Sequence, residues 1–196
     1  MLEFEKKVLL TENEYRLLAG RFRNAFIDSQ TNFYFDTEDL YMNRKGITCR
    51  VRKKDGKYKA TVKKHDTGDL SRSTEIGIYE GSEINAEVFG ALGMTLQGVL
   101  TTKRCVIYKD FFLKAVLDRN TYLGYTDYEI EVEYIRQWQT KALDFMKQIG
   151  DYLAEKGAVA STEDFIFRIG KGNSKSARFV ERKLLIEGEY DAADYR

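Results

Sequence analysis

Apolar and charged residues alternate with a period of two along much of this chain, and that period is typical of β-strands with two different faces. The alternation is clearest in five segments, which are residues 3–7, 50–52, 59–63, 114–118 and 129–133. Because residues i, i+2 and i+4 of a strand share one face, each segment predicts a charged face opposite an apolar face.

The same pattern, taken together with turn signals, predicts about eight strands. They are expected at residues 2–10, 31–36, 46–53, 57–64, 72–79, 101–109, 111–119 and 122–135. Tight turns are expected at 54–57, 109–110 and 119–120, and a polar loop at 65–69. Because short turns join neighbouring strands, the sheet should be mainly antiparallel, and eight such strands can close into a barrel whose lumen holds one small ligand.

Helix signals lie between and after these strands. Thr11 and Glu14 have capping-box spacing, which predicts a helix from there to about residue 24. Ser82 is expected to cap a helix that ends near residue 92, and residues 39–44 should form a short turn or helix. The longest helical pattern covers 137–156, with Gly157 past its end, and a last helix should reach about residue 186.

The charged faces admit two interpretations. In an antiparallel sheet with one solvated face, charged and apolar positions alternate as a matter of course. Here, however, like charges repeat along single strands, and the carboxylate strands are separate from the Arg and Lys strands. Carboxylates bind divalent cations, whereas Arg and Lys bind phosphate. The density and separation of the charges therefore favour a site for a metal-bound polyphosphate.

The composition disfavours several classes of protein. Charged residues make up 32% of the 196 residues, yet the net charge is only +1, which disfavours a general nucleic-acid binder. The sequence has neither an 18-residue apolar run nor a secretion leader, so no membrane association and a cytoplasmic location are expected. Cys49 and Cys105 are accordingly expected to be reduced core residues.

Several segments in order resemble one known family, the CYTH proteins, also called triphosphate tunnel metalloenzymes. Glu3, Glu5 and Lys7 resemble its ExExK signature. Residues 34–37 (YFDT), 46–52 (GITCRVR) and 60–63 (ATVK) resemble its next three segments, and 174–178 (SKSAR) resembles a late S-K-x-x-R element. Glu75, Arg104, Asp118 and residues 129–131 fall where its remaining acidic and basic strands should be. The resemblance runs from about residue 2 to 180.

The resemblance implies an α+β fold: an eight-stranded antiparallel β-barrel that forms a tunnel, with helices packed outside. Residues 1–186 would be a single CYTH-like domain, and 187–196 an acidic C-terminal tail. The tunnels of the family bind triphosphates with Mg²⁺ or Mn²⁺, and its activities include inorganic triphosphatase, thiamine triphosphatase and class IV adenylate cyclase. The charged faces would then line the tunnel.

The resemblance also implies roles for individual side chains. The residues expected to bind the triphosphate are Lys7, Arg50, Arg52, Lys59, Lys63, Arg104, Lys175 and Arg178, of which the last two could close the tunnel. The expected metal ligands are Glu3, Glu5, Glu75, Asp118, Glu129, Glu131 and Glu133. The residues expected to take part in catalysis are Glu3, Glu5, Lys7 and Lys63.

Three functions compete at this point. The first is metal-dependent hydrolysis of tripolyphosphate or a small organic triphosphate, by a monomer or homodimer. The second is adenylate cyclisation, which the sequence disfavours because no His-Phe pair of the kind found in the class IV cyclases precedes Glu3. The third is a polyphosphate- or nucleotide-binding module without activity. The only histidine, His65, falls in the predicted polar loop, and no Ser-His or Cys-His arrangement suggests a covalent route.

Overall fold

The computed structural model describes residues 2–23, 25–65, 72–84 and 87–188, and eight strands dominate this part of the chain. The strands are β1 Leu2–Leu10, β2 Phe26–Asp36, β3 Ile47–Lys54, β4 Lys57–His65, β5 Arg72–Gly81, β6 Thr95–Lys109, β7 Leu113–Tyr122 and β8 Tyr125–Tyr134. They are arranged in the order β1-β5-β4-β3-β2-β6-β7-β8, which closes on itself to form a barrel. Every neighbouring pair is antiparallel, as predicted.

Two strand pairs illustrate how the ring of strands is formed. β2 and β6 are paired over the whole length of β2, from Phe26 opposite Val106 to Asp36 opposite Thr95. Between β1 and β5, the described residues pair at three register positions, from Leu2 opposite Thr74 to Phe4 opposite Arg72. This last pair closes the ring.

The helices lie outside the sheet. They are α1 Glu12–Arg21, α2 Tyr41–Arg44, α3 Glu87–Gly90, α4 Gln139–Glu155, α5 Thr162–Phe167 and α6 Lys175–Glu187. The outward side chains of β1, β7 and β8, such as Val8, Leu117 and Ile130, are fully buried in one apolar cluster with Met146 and Leu153 of α4. Since each such side chain contributes about 1.5–3 kcal/mol when buried, this cluster fixes one half of the barrel from outside.

Three local features position the start of α6 over the barrel. Ser174 is the N-cap of α6 and accepts a hydrogen bond from the Ala177 backbone nitrogen at 3.2 Å. Phe179, which is fully buried, packs on Tyr34 with ring centroids 5.1 Å apart. A Cβ atom at Gly98 would lie 2.6 Å from Phe179, so glycine is needed there for the helix to approach β6. The start of α6 therefore lies against one end of the barrel.

Several element boundaries differ from the predictions. β2 and β6 begin at Phe26 and Thr95, well before predicted residues 31 and 101, because their early polar positions did not follow the apolar pattern. The predicted turn at 119–120 is wrong: those residues continue β7, and the chain reverses at Leu123 and Gly124, both with positive φ. Leucine rarely adopts that conformation, so a turn at this position is hard to predict from the sequence.

The helical predictions also needed correction. The helix expected at 82–92 is only the four-residue α3, which ends at Gly90 before a left-handed Gly93; residues 85–86 lie outside the described residues. α1 ends at Arg21 rather than near residue 24, and the short α5 was not predicted. The loop at 65–69 falls almost entirely outside the described part of the chain, as does the tail from residue 189.

Candidate functional site: a charged tunnel

Charged side chains of several strands point into the barrel, as the family resemblance implied. They surround an open cavity of about 690 Å³ of empty space, part of which is continuous with solvent. The residues that line it are Glu5, Lys7, Gln30, Tyr34, Thr48, Arg50, Arg52, Lys63, Glu75, Arg104, Glu131, Glu133, Ser174, Lys175 and Ser176. Such a cavity can take a small, highly charged ligand.

One side of the tunnel, here called the acidic wall, comprises the inward carboxylates of β7 and β8: Asp118, Asp127, Glu129, Glu131 and Glu133. Asp118 and Glu129 are completely buried. Single oxygens of Asp118, Glu129 and Glu131 lie within 4.8 Å of one another, an arrangement that could hold a metal ion. All of these donors are hard oxygens, which are the ligands that Mg²⁺ and similar cations prefer.

In this structure the ammonium group of Lys175 lies among those same three carboxylates. Its Nζ atom is 2.9 Å from Asp118 Oδ2 and 2.7 Å from Glu131 Oε1, and it also contacts Glu129 Oε1. Lys175 therefore occupies the position that a bound cation would take. The three carboxylates fit a metal ion chemically, but a metal ion at their centre requires the ammonium group to move.

Two arginines complete the neutralisation of the acidic wall. Arg104 of β6 makes a bidentate pair with Asp118, at 2.8 and 2.6 Å, and its Nη2 atom also donates to Glu131 at 2.7 Å. Arg178 of α6 pairs in the same way with Asp127, at 2.8 and 3.1 Å, and donates to Glu129 at 2.9 Å. The acidic wall is thus a network of buried ion pairs within the chain itself.

Burial sets the acid–base properties of this network. Burial lowers the pKa of Lys175 to about 7, although the nearby Asp118 carboxylate opposes the shift. Burial likewise raises the pKa of Glu131 to about 7, against the attraction of Arg104. For Asp118 burial favours the neutral acid, but Lys175 and Arg104 outweigh it and lower the pKa. Burial therefore acts against the charged forms of both Lys175 and Glu131, whereas its two cationic partners hold Asp118 as a carboxylate.

The opposite side, here called the basic wall, comprises the inward cations of β3 and β4: Arg50, Arg52 and Lys63. Arg50 pairs with Glu75 of β5 at 2.6 Å. Arg52 donates a hydrogen bond to a neutral group, from its Nε atom to Asn32 Oδ1 at 2.9 Å. Burial, with repulsion from Arg50 and Arg104, lowers the pKa of Arg52 to about 10. An anion in the cavity would relieve this repulsion.

β1 carries both positively and negatively charged side chains, and it lies where the acidic and basic walls meet. Lys7 is 9% exposed, and its Nζ donates to the Asn173 carbonyl oxygen at 3.2 Å. Burial lowers the pKa of Lys7, although Glu5 and Glu131 oppose the shift. Glu5 lines the cavity, whereas the side chain of Glu3 lies outside the described part of the chain. β1 can therefore contribute to binding of both a cation and a phosphate.

The structure thus brings most of the predicted site residues to one tunnel, with differences in position. Asp118, Glu129 and Arg178 lie behind the cavity surface in the ion-pair network, and do not line the cavity. Lys59 is exposed and also does not line it. The prediction that charges separate strand by strand is only partly right, because β1 carries both signs and β6 contributes Arg104 beside the carboxylates of β7.

The sequence reasoning missed the neutral polar residues of the tunnel. Gln30, Tyr34 and Thr48 line the cavity, and the hydroxyl groups of Thr48 and Ser176 are 2.7 Å apart, which ties β3 to α6. These residues carry no charge and so did not stand out in the alternation. For the residues on β2, the period-two spacing of polar side chains at 30, 32 and 34 was the signal that could have identified them.

Comparison with known proteins identifies the family of this barrel. The model of the CYTH domain matches residues 1–154, and the chain therefore belongs to the CYTH domain family. Among curated proteins, the chain is 28% identical over 155 residues to "Putative triphosphatase YjbK" of Bacillus subtilis, an alignment that covers 67% of this chain and 77% of that protein.

Solved structures support the same fold. A Bacillus halodurans protein described as a "putative adenylate cyclase" has a TM-score of 0.64 at 21% identity, covering 90% of this chain and 96% of its own. HpAC1 of Hippeastrum, described as a "putative adenylyl cyclase" with "a dominant" triphosphatase activity, has a TM-score of 0.62 at 20% identity, covering 92% and 95%. In the described part of this chain, none of the helices has the length and apolar character needed to cross a membrane.

Proposed function

We propose that this protein is a divalent-metal-dependent hydrolase that cleaves a phosphoanhydride bond of inorganic tripolyphosphate or a small organic triphosphate bound in the tunnel. The observation that carries the proposal is the basic wall, where Arg52 is a half-buried cation that hydrogen-bonds a neutral amide and is repelled by Arg50 and Arg104, against the smaller attraction of Glu75. A polyphosphate supplies the missing negative charge. Membership of the CYTH family and the triphosphatase names among its relatives support this choice of ligand.

The residues of the basic wall would bind and orient the substrate. Arg50 and Arg52 can each make two parallel hydrogen bonds to a phosphoryl group, and Lys63 beside them adds a point charge. Fixed positive charges in a partly dehydrated cavity stabilise the charge of the phosphoryl-transfer transition state without reorganisation during the reaction. The reaction is attack of water on the terminal phosphorus, which releases orthophosphate and, from tripolyphosphate, diphosphate.

The carboxylates would hold the metal. Glu5, Glu131 and Glu133 line the cavity, and the sequence adds Glu3 on the same face of β1. Bound Mg²⁺ or Mn²⁺ would neutralise phosphoryl oxygens and lower the pKa of a coordinated water. Arg104 and Lys175 position the Glu131 carboxylate, because they donate to its two different oxygens at 2.7 Å each.

A phosphate-release assay tests this proposal. Tripolyphosphate, ATP and thiamine triphosphate are each supplied with Mg²⁺, with Mn²⁺ or with excess EDTA. We expect release only with a divalent cation, and we expect Glu5→Gln, which removes one carboxylate charge, to abolish release or to require more metal while triphosphate binding persists. Release that continues unchanged in EDTA would exclude the metal role.

The same assay distinguishes hydrolysis from the two other candidate functions, which are a cyclase and a binding module. A cyclase would convert ATP to a cyclic nucleotide and diphosphate and would leave tripolyphosphate intact. A binding module would bind tripolyphosphate without releasing phosphate under any of these conditions. Either result would replace hydrolysis as the function of the tunnel.

A further inference from the structure

Two amide side chains on the inner face of β2 have no partner for their NH₂ groups. Gln30 is 4% exposed and Asn32 is fully buried. Among the described residues, neither Gln30 Nε2 nor Asn32 Nδ2 has a hydrogen-bond partner. A buried donor without a partner is destabilising, and native proteins contain few of them. Two such donors, two residues apart on one strand, therefore indicate an acceptor that the described residues do not supply.

A third buried amide nearby shows how such a group is normally satisfied. Asn120 of β7 is also fully buried, and its Oδ1 accepts from the Thr102 hydroxyl at 2.7 Å. Its Nδ2 donates to Asp127 at 2.8 Å and to Glu129 at 3.4 Å. Side chains of the described residues thus supply hydrogen-bond partners for the amide on the acidic side of the tunnel, but not for the NH₂ groups of the two amides of β2.

The orientation of Asn32 follows from its neighbour. The Nε–H group of Arg52 can only donate, so the atom of Asn32 that faces it at 2.9 Å must be the oxygen. The NH₂ group of Asn32 therefore points away from Arg52 and cannot exchange places with the oxygen without losing this bond. Asn32 both positions the guanidinium group and presents a donor beyond it.

The place of β2 in the barrel indicates the ligand. β2 lies between β3 and β6, which carry Arg52 and Arg104 to the cavity, and Gln30 itself lines the cavity. A further lysine or arginine on β2 would add to the repulsion between these two arginines. An amide instead supplies N–H donors with no added charge, so it suits an anion whose charge the neighbouring arginines already balance.

We propose that Gln30 is a substrate-binding residue that donates a hydrogen bond to a non-bridging phosphoryl oxygen of the triphosphate, and that Asn32 positions Arg52 for the same phosphoryl group. This inference rests on the proposed function, since it assigns a contact to the same ligand. The inference gives β2 a different role from β3 and β6. The amide of β2 hydrogen-bonds an oxygen atom of the triphosphate, whereas the arginines of β3 and β6 balance its charge.

The test uses the full chain and tripolyphosphate in EDTA, so that binding is measured without turnover. Gln30→Met keeps the volume of the side chain and removes its donors. We expect its melting temperature without ligand to equal or exceed that of the parent, because a buried donor without a partner has been removed. We expect its affinity for tripolyphosphate, by calorimetric titration, to fall about tenfold or more, as for loss of a hydrogen bond to a charged group.

Gln97→Met is the matched control. The Nε2 atom of Gln97 donates to the Asp36 carbonyl oxygen at 3.2 Å and to the Thr95 hydroxyl at 3.0 Å, and Gln97 does not line the tunnel cavity. This variant should therefore have a lower melting temperature and the affinity of the parent. Opposite effects of one substitution at two glutamines would separate ligand binding from structural support.

Gln30→Glu is a second variant in case the methionine variant does not fold. It keeps the length of the side chain, replaces the donors by a carboxylate, and should weaken binding at least as much. Parent-like affinity in either folded variant, or a lowered melting temperature with unchanged affinity, would overturn the inference. If the parent does not bind tripolyphosphate at all, the proposed function fails and this inference fails with it, whereas binding by parent and variants alike overturns the inference alone.

Discussion

The acidic and basic walls face the same cavity, but they differ in how their charges are satisfied. The carboxylates of the acidic wall pair with cations of the chain itself: Arg104 with Asp118, Lys175 with Asp118 and Glu131, and Arg178 with Asp127 and Glu129, at 2.6–2.9 Å. On the basic wall, Arg50 pairs with Glu75, whereas Arg52 hydrogen-bonds the neutral Asn32. Among the described residues, the acidic wall is therefore neutralised by direct ion pairs, whereas Arg52 of the basic wall has a neutral hydrogen-bond partner.

This difference separates stability from binding within one tunnel. A buried ion pair is costly to break, because removal of one partner leaves the other charged group buried and uncompensated. Arg52, a half-buried cation that hydrogen-bonds a neutral amide and is repelled by Arg50 and Arg104, carries part of such a cost, and an anionic ligand can offset it. We therefore expect substitutions in the acidic wall to affect mainly the free energy of unfolding, and substitutions in the basic wall to affect mainly affinity for anions.

The largest effect should come from the acidic wall. Asp118→Asn keeps the shape of a fully buried side chain but removes the charge that Arg104 and Lys175 contact. We expect the free energy of unfolding, measured with urea, to fall by about 3–5 kcal/mol. The control is Glu12→Gln, which breaks the exposed pair of Glu12 with Arg16 and should cost about 0–1 kcal/mol. Equal losses in the two variants would show that the network contributes nothing beyond a surface ion pair.

The basic wall should show the reverse behaviour. Arg52→Met removes a cation that two other arginines repel but also leaves the buried Asn32 oxygen without its donor, so stability without ligand should change little. Affinity for tripolyphosphate in EDTA should fall by about 1.5–3 kcal/mol, since the lost hydrogen bonds involve a charged group in a partly buried site. Calorimetric titration measures the affinity. A variant that loses stability but binds tripolyphosphate like the parent would contradict the division between the walls.

Part of this contrast could be predicted from the sequence. The period-two alternation predicted which side chains share a face with Glu131 or with Arg52, because strand geometry alone decides this, and the family resemblance implied that these faces line the tunnel. The position of Lys175 among carboxylates of β7 and β8 could not be derived that way. It depends on how α6 packs over the barrel end, through contacts such as Phe179 with Gly98 that join residues far apart in the chain.

The cation that contacts the acidic residues could not be predicted for the same reason. The sequence treats Asp118, Glu129 and Glu131 as vacant metal ligands, because charge patterns do not show which cation is nearest. In the structure that cation is Lys175. The neutral residues of β2 were overlooked because amides do not contribute to a charge count, although their alternation matches that of the charged strands.

A smaller effect is expected when Lys175 is replaced. Lys175→Met removes the ammonium group from the three carboxylates, which should then bind Mn²⁺ about tenfold more tightly in the absence of triphosphate, a change of about 1.4 kcal/mol. Titration with Mn²⁺ followed by electron paramagnetic resonance measures this directly. Lys183→Met, on the same helix but paired with Glu187, should leave Mn²⁺ affinity unchanged. Weaker Mn²⁺ binding by the Lys175 variant would mean that the ammonium does not compete with the metal.

The most direct test of the central claim, that the basic wall is organised to receive a polyphosphate, is thermal unfolding of the parent protein in EDTA with different anions. Tripolyphosphate should raise the melting temperature above that in chloride of equal ionic strength, because a ligand that binds only the folded state stabilises it by RT ln(1 + [L]/Kd), about 2.7 kcal/mol at 100 times the Kd. The rise should depend on concentration and should be smaller in Arg52→Met. Identical melting temperatures in tripolyphosphate and chloride would contradict the claim.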